Sequence, residues 1–135
     1  MPIVTMKLIQ HSATSVMLEH DKYPIVIDRP VDKGGGGLGL MGGQHLLAGI
    51  GGCFCSTLFA TDISRDIVIQ GLMVKVFGEI SEDLPTRFRK VRLAVSCDES
   101  VPMEHFSKLV KIAEKGCISL NTVRGAIELE VEVMR

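Results

Sequence analysis

The chain has 135 residues, 46% hydrophobic and 23% charged, with a formal net charge of -1. That describes one domain of ordinary globular material. That charge, with Lys and Arg spread along the chain, argues against a dedicated nucleic-acid binder, whose affinity depends on a basic patch. With no Trp and one tyrosine, Tyr23, there is no base-stacking platform either.

The opening MPIVTMKLIQHS lacks the apolar run and small-residue cleavage site of a secretory signal. Residues 3–9, 14–19 and 23–28 read as three short strands rich in Val, Ile, Met and Leu. His11-Ser12 and then His20-Asp21-Lys22 separate them, which predicts an antiparallel meander. The run Lys33-Gly34-Gly35-Gly36-Gly37 predicts a loop, because glycine weakens helix and strand alike.

A helix is predicted from Gln44 to Ser64, with Leu46, Ile50, Phe54 and Leu58 stacked on one face. The opposite face carries Ala48, Gly49, Gly52 and Cys55, so the helix has no charged side and calls for burial all round. Leu38 to Thr61 holds no Asp, Glu, Lys or Arg and is long enough to span a bilayer. Its six glycines, with Gln44, His45, Ser56 and Thr57, and its ends without aromatic anchors favour a buried helix over a membrane span. Glycine costs about 1 kcal/mol per helical position. Gly49, Gly51 and Gly52 therefore call for close approach of another element, a ligand or a symmetry mate.

Residues 68–80 and 87–97 read as longer strands, and Lys90 to Ser96 alternates as a strand with one wet and one dry face. A second helix is predicted from Met103 to Lys115, begun by Val101-Pro102 and stopped by Gly116, with Phe106, Leu109, Val110 and Ala113 as its apolar stripe. A short helical segment to Arg124 follows Cys117, and a last strand runs from Ala126 to Met134. The order is βββ-α-ββ-α-β, an α+β fold. Helices are too few to wrap the first one within a single chain, so a homodimer that buries it is the economical arrangement.

Four cysteines without an export signal read as reduced thiols in the cytoplasm. Cys53 and Cys55, two apart on a helix, point about 200° apart, so only one can face a given site. C-x-x-C and His ligand spacings are absent, and no metal site is expected. Cys117 precedes a helix start and follows Lys115, both of which favour a thiolate. Cys97, beside Asp98 and Glu99, reads as structural. Buried free cysteine commonly behaves as a small hydrophobe. The residues alone leave each cysteine open between structural and functional roles.

Other candidates stay open in the same way. Arg29 is a site cation or a solvated strand-end charge. Gln44 lines a site or is an ordinary first-turn residue, and His45 reads as a half-exposed helix residue. The run Gly34 to Gly43, ahead of a helix, could cradle a phosphate, but it lacks the P-loop ending and the G-x-G-x-x-G spacing. Arg124 serves a site or pairs with the glutamates of the last strand.

The segment from His45 to Phe54, HLLAGIGGCF, resembles the central-helix motif of the OsmC/Ohr family. The segment from Cys117 to Gly125, CISLNTVRG, resembles that family's second cysteine motif. The element order also matches, so the resemblance spans nearly the whole chain. It implies one domain over residues 1–135 and an intertwined α+β homodimer, with two central helices between sheets built from both chains. It also implies reduction of organic or lipid hydroperoxides in oxidative-stress defence, with Cys53 as the peroxidatic and Cys117 as the resolving cysteine. The partners would be a small hydroperoxide and an external dithiol reductant, with no cofactor, nucleic acid or membrane. Arg29, Gln44 and Phe54 would line the site. The sulfurs of a working redox pair should lie near bonding range.

Two departures stand out. Where many family peroxidases carry a Glu ahead of the first cysteine, this chain has Gly43 with Gln44 beside it, and no arginine precedes Arg29. These departures and the glycine run point to an alternative: a protein that holds a small thiol, acyl-thioester or phosphate-bearing ligand in the dimer cavity without turnover. A third reading is an interaction module with inert cysteines.

Overall fold

A computed structural model describes residues 1–63, 65 and 68–134. The chain divides into two compact units, Met1–Leu46 and Leu47–Arg135.

In the first unit, β1 (Leu8–Gln10), β2 (Val16–Leu18) and β3 (Ile25–Ile27) form the expected antiparallel meander. The registers are Leu8↔Leu18 and Val16↔Ile27. At the first turn, His11 N–H donates to Ser15 C=O at 2.9 Å. At the second, His20 Nδ1 accepts the Lys22 and Tyr23 N–H groups, each at 3.0 Å. These turns trim the predicted strands 14–19 and 23–28 to their middle residues. The predicted strand 3–9 is corrected more strongly, since regular pairing begins only at Leu8. Residues 1–6 run past the end of the short meander and pair with no strand among the described residues. Met1, Ile3, Val4 and Met6 are accordingly exposed.

The long helix α1 (Gly42–Ile63) crosses the boundary between the units. It starts two residues before the predicted Gln44, because Gln44 itself makes the start. Its Oε1 accepts the Met41 N–H at 2.9 Å, one half of a capping box. The predicted last residue, Ser64, lies outside the described residues. Leu46, expected on the apolar face, is 54% exposed, whereas Ile50, Phe54 and Leu58 are buried. No described helix is long and apolar enough to cross a membrane.

In the second unit, β4 (Met73–Ile80) and β5 (Phe88–Ser96) form an antiparallel hairpin. The strand predicted from residue 68 starts only at Met73, because the chain turns at Gly71, whose φ of 63° is in the left-handed region. The helices α2 (Met103–Gly116) and α3 (Ile118–Val123) lead to β6 (Glu128–Val133), which pairs parallel with β5. The described order is thus βββ-α-ββ-α-α-β in two three-stranded sheets.

The predicted dry face of β5 is the floor of the core: Val91, Leu93 and Val95 are fully buried. Ile50, Phe54 and Leu58 from α1 join Phe106, Leu109, Val110 and Ala113 from α2 in the same cluster. Burying each large apolar side chain contributes roughly 1.5–3 kcal/mol. The wet face carries charge pairs, Lys90 to Glu130 at 2.9 Å and Arg92 to Glu132 at 3.2 Å.

Candidate functional site

The site is built where α1 meets the break between α2 and α3. Cys53 lies midway along α1, half-buried, one residue before the fully buried Phe54. Phe54 belongs to the core, and its neighbour is turned to the core's margin. Cys117 is the single residue between α2 and α3, with extended backbone at φ -81° and ψ 119°, and is fully buried. Its Sγ donates to Cys53 Sγ at 3.6 Å, and both thiols are free. A disulfide S–S bond is about 2.05 Å long, so an approach of about 1.5 Å would close it.

The two thiols have unlike surroundings. The Ser119 hydroxyl is the main cause that lowers the Cys53 pKa, and it prevails over burial, which raises it. The Ser119 N–H, the Cys117 thiol and the Ile118 N–H add to the lowering. Cys117 is pushed up, chiefly by burial, which the N–H groups of Leu120 and Ser119 only partly offset, while the neighbouring Cys53 raises it further. This corrects the expectation of a Cys117 thiolate: Lys115 is exposed to solvent, and desolvation outweighs the helix start. The pair is therefore asymmetric, with a thiolate-prone sulfur accepting a hydrogen bond from a protonated one.

The other cysteines are set apart. Cys55 is half-buried, with its thiol pushed up by burial. Cys97 directly follows β5, and its Sγ donates to the Asp98 carbonyl at 3.5 Å. Among the described residues, no three His, Cys, Asp or Glu side chains converge to hold a metal ion.

Arg29 and Gln44 belong to the first unit. Gln44 is the cap of α1, the ordinary first-turn role. The Arg29 Nε donates to Lys33 C=O at 3.3 Å, and the residue lines a cavity of about 540 Å³ with Ser12, Thr14, Asp28 and Met41. His45 is half-buried, and its Nε2 is buried without a hydrogen-bond partner among the described residues.

The glycine run wraps a carboxylate of its own chain. Asp28 accepts from Arg29 N–H at 2.7 Å, Thr14 Oγ1 at 2.9 Å and Leu38 N–H at 3.1 Å. Burial raises its pKa, yet these bonds and one from Gly36 N–H together hold it below the ordinary carboxylate range. An internal carboxylate thus occupies the amides that a phosphate would need. A side chain at position 35 would put its Cβ 2.0 Å from Arg29 C=O, which is why the loop needs glycine there.

A family model described as OsmC-like protein matches residues 34–132. The chain belongs to the OsmC-like family.

Solved structures share the fold of this OsmC-like protein. The OsmC-like protein from Mycoplasma pneumoniae has a TM-score of 0.85 at 19% identity, covering 98% of this chain and 96% of that one. An organic hydroperoxide resistance protein OsmC from Legionella pneumophila has a TM-score of 0.78 at 18% identity, covering both chains completely (100% and 100%). The organic hydroperoxide resistance protein OhrB of Bacillus subtilis has a TM-score of 0.75 at 19% identity, covering 97% of this chain and 98% of that one. No curated protein matches the sequence.

One site feature of this OsmC-like protein, Ser119, has no counterpart in the sequence reading. Ser119 carries no motif of its own. Its only signal is its place two residues after Cys117, in the first turn of a helix, where amides have no intrahelical partner. The expected pairing of Arg124 with the glutamates of the last strand is corrected: those glutamates pair with Lys90 and Arg92. Arg124 bonds to Asn121 Oδ1 and to Glu114 C=O.

Proposed function

We propose that this chain is a cysteine-based peroxidase that reduces organic or lipid hydroperoxides, with Cys53 as the peroxidatic and Cys117 as the resolving cysteine. The observation that carries this is the 3.6 Å contact between the two sulfurs, residues 64 apart in sequence. The Cys53 thiolate attacks a peroxide oxygen and the O–O bond breaks. The leaving alkoxide takes a proton from solvent and becomes the alcohol. The Cys53 sulfenic acid then meets the Cys117 thiol. An S–S bond forms, the S–O bond breaks, and the thiol proton leaves with the hydroxide as water. An external dithiol restores both thiols by exchange.

The lowered Cys53 pKa supports its role as attacking group, and the protonated Cys117 supports the order of steps. Relatives named as organic hydroperoxide resistance proteins support the substrate class. The working form in this proposal is a cytoplasmic homodimer of one functional domain per chain. Support for the dimer comes from α1, whose Leu46, Gly49, Gly52, Ser56 and Phe59 form an uncharged, exposed strip. Steady-state consumption of cumene hydroperoxide with a dithiol tests the activity. Cys53→Ser should abolish it, and an unchanged rate in that variant would end the proposal.

A second reading, ligand binding without turnover, is favoured by the start of α1. Gly43 supplies no carboxylate and Gln44 is engaged as a cap. Native mass spectrometry of the purified protein separates the two. A co-purifying ligand with no peroxide consumption would favour binding.

A further inference from the structure

The place of Cys117 is set by a small clamp outside the reacting atoms. Helix α2 ends abruptly, passing from Gly116 straight into the extended backbone of Cys117. The last carbonyls of a helix lack intrahelical partners and need donors from elsewhere. Here the donors come from α3, on the far side of the cysteine. Asn121 Nδ2 donates to Lys115 C=O at 3.0 Å. Arg124 Nη2 donates to Glu114 C=O at 3.3 Å, while its Nη1 donates to Asn121 Oδ1. The guanidinium fork and the amide thus form one connected strap. It ties the two carbonyls before Gly116–Cys117 to the helix after them.

The backbone of α3 fixes the other side of the vertex. Asn121 N–H donates to Cys117 C=O and Arg124 N–H to Leu120 C=O, each at 3.0 Å. Cys117 is held at the apex of this closed arrangement, with its sulfur aimed at Cys53. Asn121 and Arg124 are both exposed, so neither is a core residue whose loss would empty a cavity.

We infer that Asn121 and Arg124 are positioning residues for the resolving cysteine: the strap sets how readily Cys117 reaches a modified Cys53. This rests on the redox-pair reading, but its test does not depend on peroxide chemistry. An aromatic disulfide, 5,5′-dithiobis(2-nitrobenzoate), oxidises the pair in two visible steps. The Cys53 thiolate attacks it, forming a mixed disulfide and releasing one thionitrobenzoate. The Cys117 thiol then attacks the Cys53 sulfur, forming the Cys53–Cys117 bond. A second thionitrobenzoate leaves and the thiol proton goes to solvent.

The measurement is made on full-length protein with Cys55→Ser and Cys97→Ser, so that only the pair reports. Arg124→Gln and Asn121→Ala should slow the second release about tenfold, an added barrier of about 1.4 kcal/mol. The first release should slow less than the second, because Ser119 meets Cys53 from the first turn of α3 while the strap acts on Cys117, a division that a general loosening of the fold would not produce. Should Arg124→Gln fail to fold, Asn121→Ala, which removes the link to Lys115 C=O, carries the test. An unchanged second release, equal slowing of both releases, or no second release in the parent would each overturn the inference. A parent that closes its disulfide with this reagent yet consumes no hydroperoxide would refute the peroxidase reading and leave the clamp standing.

Discussion

Gly51→Ala sets two opposed effects against each other close to the reacting sulfur. Gly51 is buried on α1, and a Cβ built on it would lie 2.6 Å from Val76 Cγ2 on β4. Ordinary carbon contacts are about 3.5–4.0 Å, so the overlap is about 1 Å. Val76 is β-branched and stiff at χ1, and its strand is locked in register opposite Leu93, so it yields poorly. Overpacking of this kind costs about 1–3 kcal/mol. Replacing glycine by alanine inside a helix returns about 1 kcal/mol. The net is a loss of about 1 kcal/mol. With an unfolding entropy of about 2.1 cal/mol/K per residue, that lowers the Tm of this chain by about 4 °C. Thermal unfolding followed by circular dichroism measures it. Gly52→Ala is the control, because its Cβ would enter open space in the single chain. A Gly51→Ala protein that melts at or above the parent would refute the reasoning. A Gly52→Ala protein that loses stability would show that a second molecule packs on this face of α1.

Other expectations follow from the same geometry. Cys117→Ser should leave the Cys53 sulfenic acid unresolved, so that dimedone traps it and excess hydroperoxide carries it to sulfinic acid, both read by mass spectrometry. If Cys117→Ser resists over-oxidation as well as the parent does, Cys117 is not the resolving thiol. Because Cys53 titrates below the ordinary thiol range, iodoacetamide should already alkylate it at pH values where ordinary thiols are protonated. Ser119→Ala should move that rise to higher pH, since the hydroxyl that stabilises the thiolate is gone. An unmoved profile would remove Ser119 from the site. Phe59 is 44% exposed, so Phe59→Glu should cost little stability in a lone chain. In the proposed homodimer it should bring a charge into the α1 contact and yield monomers by analytical ultracentrifugation, whereas a monomeric parent would refute the dimer.

Legibility in the sequence followed the physics of each element. The alternation of β5 and the stripe of α2 were readable because each packs one face on a core and wets the other. The second and third strands are placed correctly but drawn too long, and the first is set several residues early, because apolar composition does not say where a pairing partner begins or ends. The parallel pairing of β6 with β5 was not readable, since alternation fixes which face is dry and not which neighbour is bonded. Gln44 was seen as a first-turn residue, yet the glycines before it hid the start of α1. The two cysteines were readable as a pair only through their resemblance to two family motifs. Nothing in 64 residues of separation brings Cys53 to Cys117. The reversal at Cys117 was harder still. A helix start and a nearby Lys argued for a thiolate, but complete burial decides against it, and burial is a property of the fold. Asn121 and Arg124 bond across the α2–α3 break and Ser119 meets Cys53 on α1, contacts that no local pattern announces.

The central claim is that Cys53 and Cys117 form a working redox pair, and one measurement reaches it directly. Fully reduced protein is mixed with one equivalent of cumene hydroperoxide, quenched by alkylation and mapped by peptide mass spectrometry. The account predicts loss of the peroxide, with a Cys53–Cys117 disulfide formed in equal amount and Cys55 and Cys97 alkylated as free thiols. Intact hydroperoxide with both Cys53 and Cys117 alkylated would contradict it.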